Sequence, residues 1–245
     1  MKKLAIIPAR GGSKRLKNKN RLLLSGKPLV VYTIESAIKS KLFDKIILST
    51  DDEKIAKIGK DLGISIYYRP KKYASDTATV IQALVELMET FEKNGEKYDV
   101  VCQMLPTCPF RDFEDIKKGI QLLDKKTDSV ISISTYNFPL PKSLSKKGDF
   151  IKPYWPNSPF LTGKTRTQDQ QIFYHDNGAF YISWWESIKK YKTFYKGEIK
   201  GYEINHLKTI DIDNKLDFEM AEIILTHVKD NKNQSEIKKL LSHLI

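Results

Sequence analysis

The sequence predicts an α/β fold built on a doubly wound, mostly parallel sheet, and three observations carry that expectation. Short apolar runs of strand length alternate with amphipathic stretches of helical period. The first run passes straight into Gly11-Gly12 and a cluster of cations, and chemically capable residues follow the ends of several later runs. In such sheets ligands bind beyond the carboxyl ends of the strands, near the switch in strand order.

Each element has its own signal. Leu4-Ala5-Ile6-Ile7-Pro8 is short enough for a buried strand. Gly26-Lys27-Pro28 turns the chain into a helix whose apolar residues fall at 30, 34, 37, 38 and 42, with Pro28 suited to its first turn. Lys45 to Thr50 reads as a strand, and Asp51-Asp52-Glu53 opens a helix reaching Leu62 and ended by Gly63. Ile64 to Tyr68 is a third strand. After a loop from Arg69, Ser75 or Asp76 is expected to cap the long helix carrying Val80, Ile81, Leu84, Leu87, Met88 and Phe91. Tyr98 to Leu105 reads as a central strand stopped by Pro106-Thr107-Cys108-Pro109, followed by a helix over 112–124 and a strand over Ser129 to Ile133.

From Tyr136 to Gln171 the pattern changes to prolines, aromatics and short polar pieces, too apolar for a linker. An excursion that packs against something, such as a second subunit, is expected there. Regular structure resumes with a strand over Gly178 to Ser183, a helix over Trp184 to Tyr191 and a strand over Tyr202 to Ile204. Thr209-Ile210-Asp211-Ile212-Asp213, a helix from Lys215 to Lys229 and a lysine-rich helix over 235–244 close the chain. The expectation is one domain over 1–245.

Composition bounds the function. The net charge of +12, from 42 basic and 30 acidic residues, would admit polyanionic partners, but the lysines are scattered with no block of five or six. Neither nucleic acid nor membrane is therefore the expected partner. The N-terminal apolar run is too short for a signal-peptide core or a membrane span. Cys102 and Cys108 form no C-x-x-C and no zinc set, so a cytoplasmic protein without disulfides is expected.

Two stretches carry chemistry. Arg10, Gly11, Gly12, Ser13, Lys14, Arg15, Lys17 and Lys19 follow the first strand as a phosphate cradle would: the glycines permit positive φ and close approach of backbone N–H groups, and the cations supply charge. Neither a P-loop nor a G-x-G-x-x-G fingerprint is present. The bland alternative is a solvated basic turn. Asp211 and Asp213, at i and i+2 on an extended segment, face one side and suit one Mg²⁺, with Ile212 toward the core. Its alternative is a solvated strand end capping the next helix, and Asp217 reads as part of that helix start.

Read together, Ile7-Pro8-Ala9-Arg10-Gly11-Gly12-Ser13-Lys14-Arg15 with Lys19-Asn20, the Arg69-Pro70 and Ala74-Ser75-Asp76-Thr77-Ala78 loop, Leu105-Pro106-Thr107-Cys108-Pro109-Phe110-Arg111, Asn177-Gly178-Ala179-Phe180-Tyr181-Ile182 and Asp211-Ile212-Asp213 resemble, in order, the motifs of the acylneuraminate (CMP-nonulosonate) cytidylyltransferases over residues 4 to 227. The resemblance implies a nucleotide-diphospho-sugar transferase-like fold and a homodimer whose excursion, about 136–176, reaches the partner's site. It further implies Mg²⁺-dependent transfer of CMP from CTP to the anomeric hydroxyl of a nine-carbon 2-keto sugar acid. In that frame Ala9, Arg10, Gly11, Gly12, Ser13, Lys14, Asn20, Arg69, Ser75 and Thr77 bind the nucleotide. Arg10, Lys19 and Asp211 act in catalysis, and Asp211 and Asp213 hold the metal. Gln103, Arg166, Gln168, Gln171 and Asn177 are the acceptor candidates.

Two departures bear on the acceptor. Many sialic acid members carry Gln before the Pro-Thr turn, where this chain has Leu105, and Gln103 lies two residues earlier on the same strand face, about 7 Å away. Tyr174-His175-Asp176 precedes Asn177 where sialic acid members often have an Arg-Pro pair, which points to a pseudaminic, legionaminic or 8-amino-octulosonic acid. Transfer to an eight-carbon octulosonic acid, and a non-catalytic nucleotide- or polyanion-binding module, are the alternatives.

Overall fold

A computed structural model of the chain describes residues 1–230. In chain order the elements are β1 (Lys3–Pro8), β2 (Leu23–Leu24), β3 (Lys27–Pro28), α1 (Leu29–Ser40), β4 (Lys45–Thr50), α2 (Glu53–Asp61), β5 (Ser65–Tyr68), α3 (Lys71–Ala74), α4 (Val80–Lys93), β6 (Val100–Gln103) and α5 (Phe113–Leu122). They continue with β7 (Ser129–Thr135), β8 (Leu144–Lys147), β9 (Phe150–Pro153), α6 (Pro159–Thr162), β10 (Tyr174–Trp184), α7 (Trp185–Tyr191), β11 (Ile199–Glu203) and α8 (Lys215–Asp230).

Seven strands form the main sheet in the order β11-β7-β10-β6-β1-β4-β5. β1 pairs in parallel with both β4 and β6, so the order of connections reverses beside β1. β10 runs antiparallel to both of its neighbours, β6 and β7, while β11 returns to the parallel sense beside β7. The carboxyl ends of β5, β4, β1 and β6 therefore share one edge.

Alternation along β1 builds the two sides of the core. Ala5 and Ile7 pack on one face with Val30, Ile34 and Ala37 of α1 and Ile116 of α5. Leu4 and Ile6 pack on the other with Leu84, Leu87 and Met88 of α4 and Trp185 of α7. A third cluster joins Leu24, Leu29 and Tyr32 to Ile212, Ala221, Leu225 and Val228, so α8 docks on the start of α1 and carries the Asp211–Asp213 segment with it.

Several expectations shift in detail. The cap of α4 is Thr79, which with Gln82 completes a capping box, rather than Ser75 or Asp76: Ser75 closes the short helix α3, and Asp76 pairs with Arg10 and Lys14. Gly11 and Gly12 are not among the glycines at positive φ. Gly11 is needed for space instead: a Cβ there would stand 2.7 Å from Asp52 Cβ and Oδ2. The excursion holds a hairpin, β8–β9, turned at Gly148 with φ 58°. β10 begins at Tyr174, four residues before the expected Gly178, and its pairing with β7 shifts register between Asp176 and Tyr181, where Gly178 takes φ 73°. Asp211-Ile212-Asp213 belongs to no strand; the segment is held by a hydrogen bond from Ile212 N to Thr107 O at 2.9 Å, and Ile212 is buried as expected. The expected helix over 235–244 lies outside the described residues. Among the described residues no helix is long and apolar enough to cross a membrane.

Candidate active site

A cleft of about 670 Å³ opens at the carboxyl edge of the sheet, lined by Pro8, Arg10, Ser13, Lys14, Arg15, Lys19, Asn20, Arg69, Asp76, Ala78, Val80, Leu105, Pro106, Thr107, Asp211 and Asp213. The loop after β1 is pinned from behind. Ala9 is fully buried and donates its N–H to Ser49 O at 2.9 Å, and Asn20, also buried, reaches back from Nδ2 to Arg10 O at 2.9 Å. Gly11 N donates to Asp51 Oδ1 at 2.9 Å, so that amide is engaged by the end of β4. Ser13, Lys14 and Arg15 are left facing the cleft.

The cations meet carboxylates on both walls. Arg10 Nη1 donates to Asp76 Oδ1 and to Ser75 O, each at 3.1 Å, and Lys14 Nζ lies 2.8 Å from Asp76 Oδ2. The Lys14 ammonium holds the Asp76 carboxyl below the usual carboxylate range. On the opposite wall Lys19, its side chain only 11% exposed, donates to Ile212 O at 2.7 Å and Asp213 Oδ1 at 3.0 Å, and Arg15 reaches Asp213 Oδ2 at 2.8 Å. Arg69 is buried against β4, donating to Ser49 Oγ at 3.3 Å and Ser49 O at 3.1 Å, and burial lowers its pKa from the usual guanidinium value.

Asp211 lines the cleft and is an exposed residue, although its carboxyl lies close to Thr107 and to the charges of Asp213 and Lys19. Desolvation pushes its carboxyl above the usual range, and the charges of Asp213 and Asp217 add to that, against the Thr107 hydrogen bond and Lys19. Asp217 accepts the N–H groups of Asp213 and Asn214 at 2.8 and 2.9 Å, as a helix-start residue should.

Beneath the site lies a fully buried Arg111. It donates from Nε to Ala179 O, from Nη2 to Leu105 O at 2.6 Å and from Nη2 to Thr33 Oγ1 at 2.8 Å, and burial pushes its pKa down to about 10. It thereby fixes the Pro106-Thr107 turn against both α1 and β10. Cys108 Sγ adds a bond to Asn177 O at 2.7 Å.

The structure thus gathers Arg10, Ser13, Lys14, Lys19, Asn20, Arg69, Asp211 and Asp213 around one cleft. Other sequence candidates lie elsewhere. Ser75 and Thr77, whose hydroxyls are 3.3 Å apart, line a neighbouring groove rather than this cleft. Gln103 is buried in the sheet with no partner for its Oε1 among the described residues, and it is absent from the cleft lining. Asn177 donates from Nδ2 to Ser134 Oγ at 2.8 Å and accepts from Ala179 N at 3.2 Å, so its amide supports the irregularity in β10. Arg166 and Gln171 line a separate groove within the excursion, and Gln168 joins neither it nor the cleft. Sequence reasoning missed Asp76 as the counter-charge of the cationic loop and Arg111 as the residue that organises the turn. The signal for Asp76 was its place between Ser75 and Thr77 at a loop end; Arg111 gave none beyond its motif, because a buried arginine cannot be told from a surface one in sequence.

Known proteins share this architecture. The chain is 33% identical over 235 residues to a CMP-N,N'-diacetyllegionaminic acid synthase of Legionella pneumophila, covering 92% of this chain and 97% of that protein. It is 32% identical over 240 residues to an N-acylneuraminate cytidylyltransferase of Escherichia coli, covering 96% of this chain but 54% of that longer protein. A pseudaminic acid cytidylyltransferase of Campylobacter jejuni is 30% identical over 226 residues, covering 91% of this chain and 96% of that protein. Among solved structures, a CMP:2-keto-3-deoxy-manno-octonic acid synthetase complexed with CTP superposes with a TM-score of 0.67 at 15% identity, over 93% of this chain and 99% of that one, which speaks for the fold alone. The sequence model of the family described as Cytidylyltransferase matches residues 4–240. With these motifs gathered on one cleft, the chain belongs to the cytidylyltransferase family.

Proposed function

We propose that the chain transfers CMP from CTP to the anomeric hydroxyl of a sialic-acid-like 2-keto sugar acid of nine carbons, releasing pyrophosphate. The observation that carries this reading is that Lys19, from the N-terminal loop, touches Asp213, from a segment 194 residues away, inside one cleft that the same loop also lines with Arg10, Lys14 and Arg15. A triphosphate needs such opposed partners. Arg10, Ser13, Lys14 and Lys19 bind its oxygens, Asn20 holds the loop, and Arg69 and the 75–80 segment border the nucleoside side.

Asp211 and Asp213 fit a hard divalent cation, Mg²⁺ in this reading. They are like-charged oxygen donors in one cleft, and the charge of Asp213 already raises the carboxyl of Asp211. Among the described residues no cluster of three or more His, Cys, Asp or Glu side chains converges, so the remaining ligands would be triphosphate oxygens and water. When bound, the cation withdraws charge from the reacting phosphorus. In the step itself the acceptor's hydroxyl oxygen forms the new bond to the α-phosphorus, the bond to pyrophosphate breaks, and the hydroxyl proton is lost to solvent. Lys19 and Arg10 stabilise the charge that develops on the departing oxygens.

Arg166, Gln168 and Gln171 are assigned to the acceptor carboxylate across a homodimer. The support is that none of them lines this chain's cleft, while the excursion exposes the apolar side chains of Phe138, Phe150, Ile151, Tyr154, Leu161 and Ile172, with Phe150 84% exposed. Ser75 and Thr77 remain candidates through movement of their loop, while Gln103 in β6 and Asn177 in β10 do not line the cleft. The two cysteines are free and buried, which suits the reducing cytoplasm. A panel crossing CTP, ATP and UTP with nonulosonic and octulosonic acids tests the reading: turnover is expected with CTP and a nine-carbon acid, and equal use of the three nucleotides would overturn it.

A further inference from the structure

The segment carrying Asp211 is fastened on both sides to the turn it works against. One fastener is the bond from Ile212 N to Thr107 O, reinforced by Lys19 on Ile212 O. The other precedes Asp211 by three residues. Lys208, 7% exposed, places its ammonium 2.5 Å from Asp112 Oδ2 and 3.0 Å from Asp115 Oδ2 at the first turn of α5. Asp112 follows directly on Arg111, whose guanidinium holds Leu105 O, so the 105–115 stretch is tied together from the turn to the first turn of α5.

Nothing in the capping of α5 requires the lysine. Asp112 and Asp115 already satisfy each other's backbone N–H groups at 2.9 and 3.0 Å, and the helix dipole favours their charge. A buried ammonium between two carboxylates is retained most readily where it specifies position. Lys208 also closes a tight turn through its N–H to Asn205 O at 2.8 Å, and neighbouring His206 Nε2 lies 2.7 Å from Thr135 Oγ1, so the approach to Asp211 is fixed from both α5 and β7.

We propose that Lys208 is a positioning residue for the metal pair: its seat between Asp112 and Asp115 sets where Asp211 lies relative to Thr107 and Asp213. The inference rests on the reading of Asp211 and Asp213 as metal ligands. The test measures Mn²⁺ binding by electron paramagnetic resonance in the presence of CTP, alongside CTP binding in chelator, for the wild type, Lys208→Met, Lys208→Arg and Asp115→Asn. Lys208→Met is expected to weaken Mn²⁺ about tenfold, as loss of a residue supporting a ligand does. Asp115→Asn, which keeps Asp112 for the lysine and so keeps the fold, is expected to weaken it less, and Lys208→Arg to restore most of it. CTP binding in chelator should stay at the wild-type level throughout. Wild-type Mn²⁺ affinity in folded Asp115→Asn and Lys208→Met would overturn the proposal even where melting temperatures fall. If the wild type itself binds no Mn²⁺ with CTP, the metal reading fails first and the positioning role falls with it.

Discussion

Replacing Lys19 by Met keeps the length of the side chain and removes its charge. Two consequences follow from its contacts. In the resting fold Ile212 O loses its donor at 2.7 Å, and Asp213 keeps only Arg15, whose side chain is 71% exposed and therefore a weak partner. An unpaired buried carbonyl and a weakened ion pair together amount to about 2–3 kcal/mol, less whatever is recovered by no longer desolvating an ammonium. For a chain of this size that lowers the melting temperature by about 4–12 °C. In the reaction, loss of one preorganised cation aimed at the developing charge lowers kcat about 10²- to 10³-fold, some 3–4 kcal/mol. Pyrophosphate release, coupled to a pyrophosphatase and read well below the variant's melting temperature, separates the two effects. A kcat within threefold of wild type, with the stability loss present, would refute the placement of Lys19 on the reacting phosphates.

Four further outcomes are expected. Asp211→Asn should abolish at least 10²-fold of turnover yet raise the melting temperature at neutral pH. A carboxyl whose pKa is raised on folding contributes stability below its unfolded pKa and loses it as pH rises through the folded value, so the gain over wild type should vanish on acidification in a melting series. Gly11→Ala forces a Cβ to 2.7 Å from Asp52, the cap that accepts from Lys54 N and Ile55 N, and should cost about 1–3 kcal/mol while raising the KM for CTP, read by denaturant melts and initial rates. Gly119→Ala brings a Cβ to 2.5 Å from Phe180 Cζ in the core between α5 and β10, neither residue lining the cleft, with a similar stability cost of about 1–3 kcal/mol and unchanged CTP affinity by calorimetry. Phe150→Asp should shift the sedimentation of the protein to that of a single chain; an unchanged assembly would argue against the excursion as the interface.

Much of the fold was legible because the parallel core obeys local rules. The buried runs at β1 and β4, the helix caps at Asp52 and Asp112, and the helical stripes of α1 and α4 each carry a signal within a few residues. What escaped depends on distant partners. The first four residues of β10, Tyr174 to Asn177, show no apolar alternation because their pairing with β7 defines them as strand. The β8–β9 hairpin has exposed side chains on both faces, so only Gly148 hinted at a turn. At the site, the cations of the first loop and the two aspartates could be named from sequence, since a phosphate cradle and an oxygen-donor pair have characteristic residue types. Their counter-charges could not: Asp76 and the Lys208–Asp112–Asp115 group acquire their roles only when segments 66 and 96 residues apart come together. Ser75 and Thr77 show the converse, since a loop two residues wide has two sides and the sequence does not say which faces the cleft.

In the proposed reaction the α-phosphorus of CTP is joined to a sugar acid in this cleft and pyrophosphate leaves. Phosphorus NMR of a mixture of the protein, CTP, Mg²⁺ and a nine-carbon 2-keto sugar acid tests it most directly. The expected spectrum gains a phosphodiester resonance and pyrophosphate in equal amounts, and only when all components are present. Pyrophosphate formed without the sugar acid, or phosphodiester formed equally well from ATP or UTP, would contradict it.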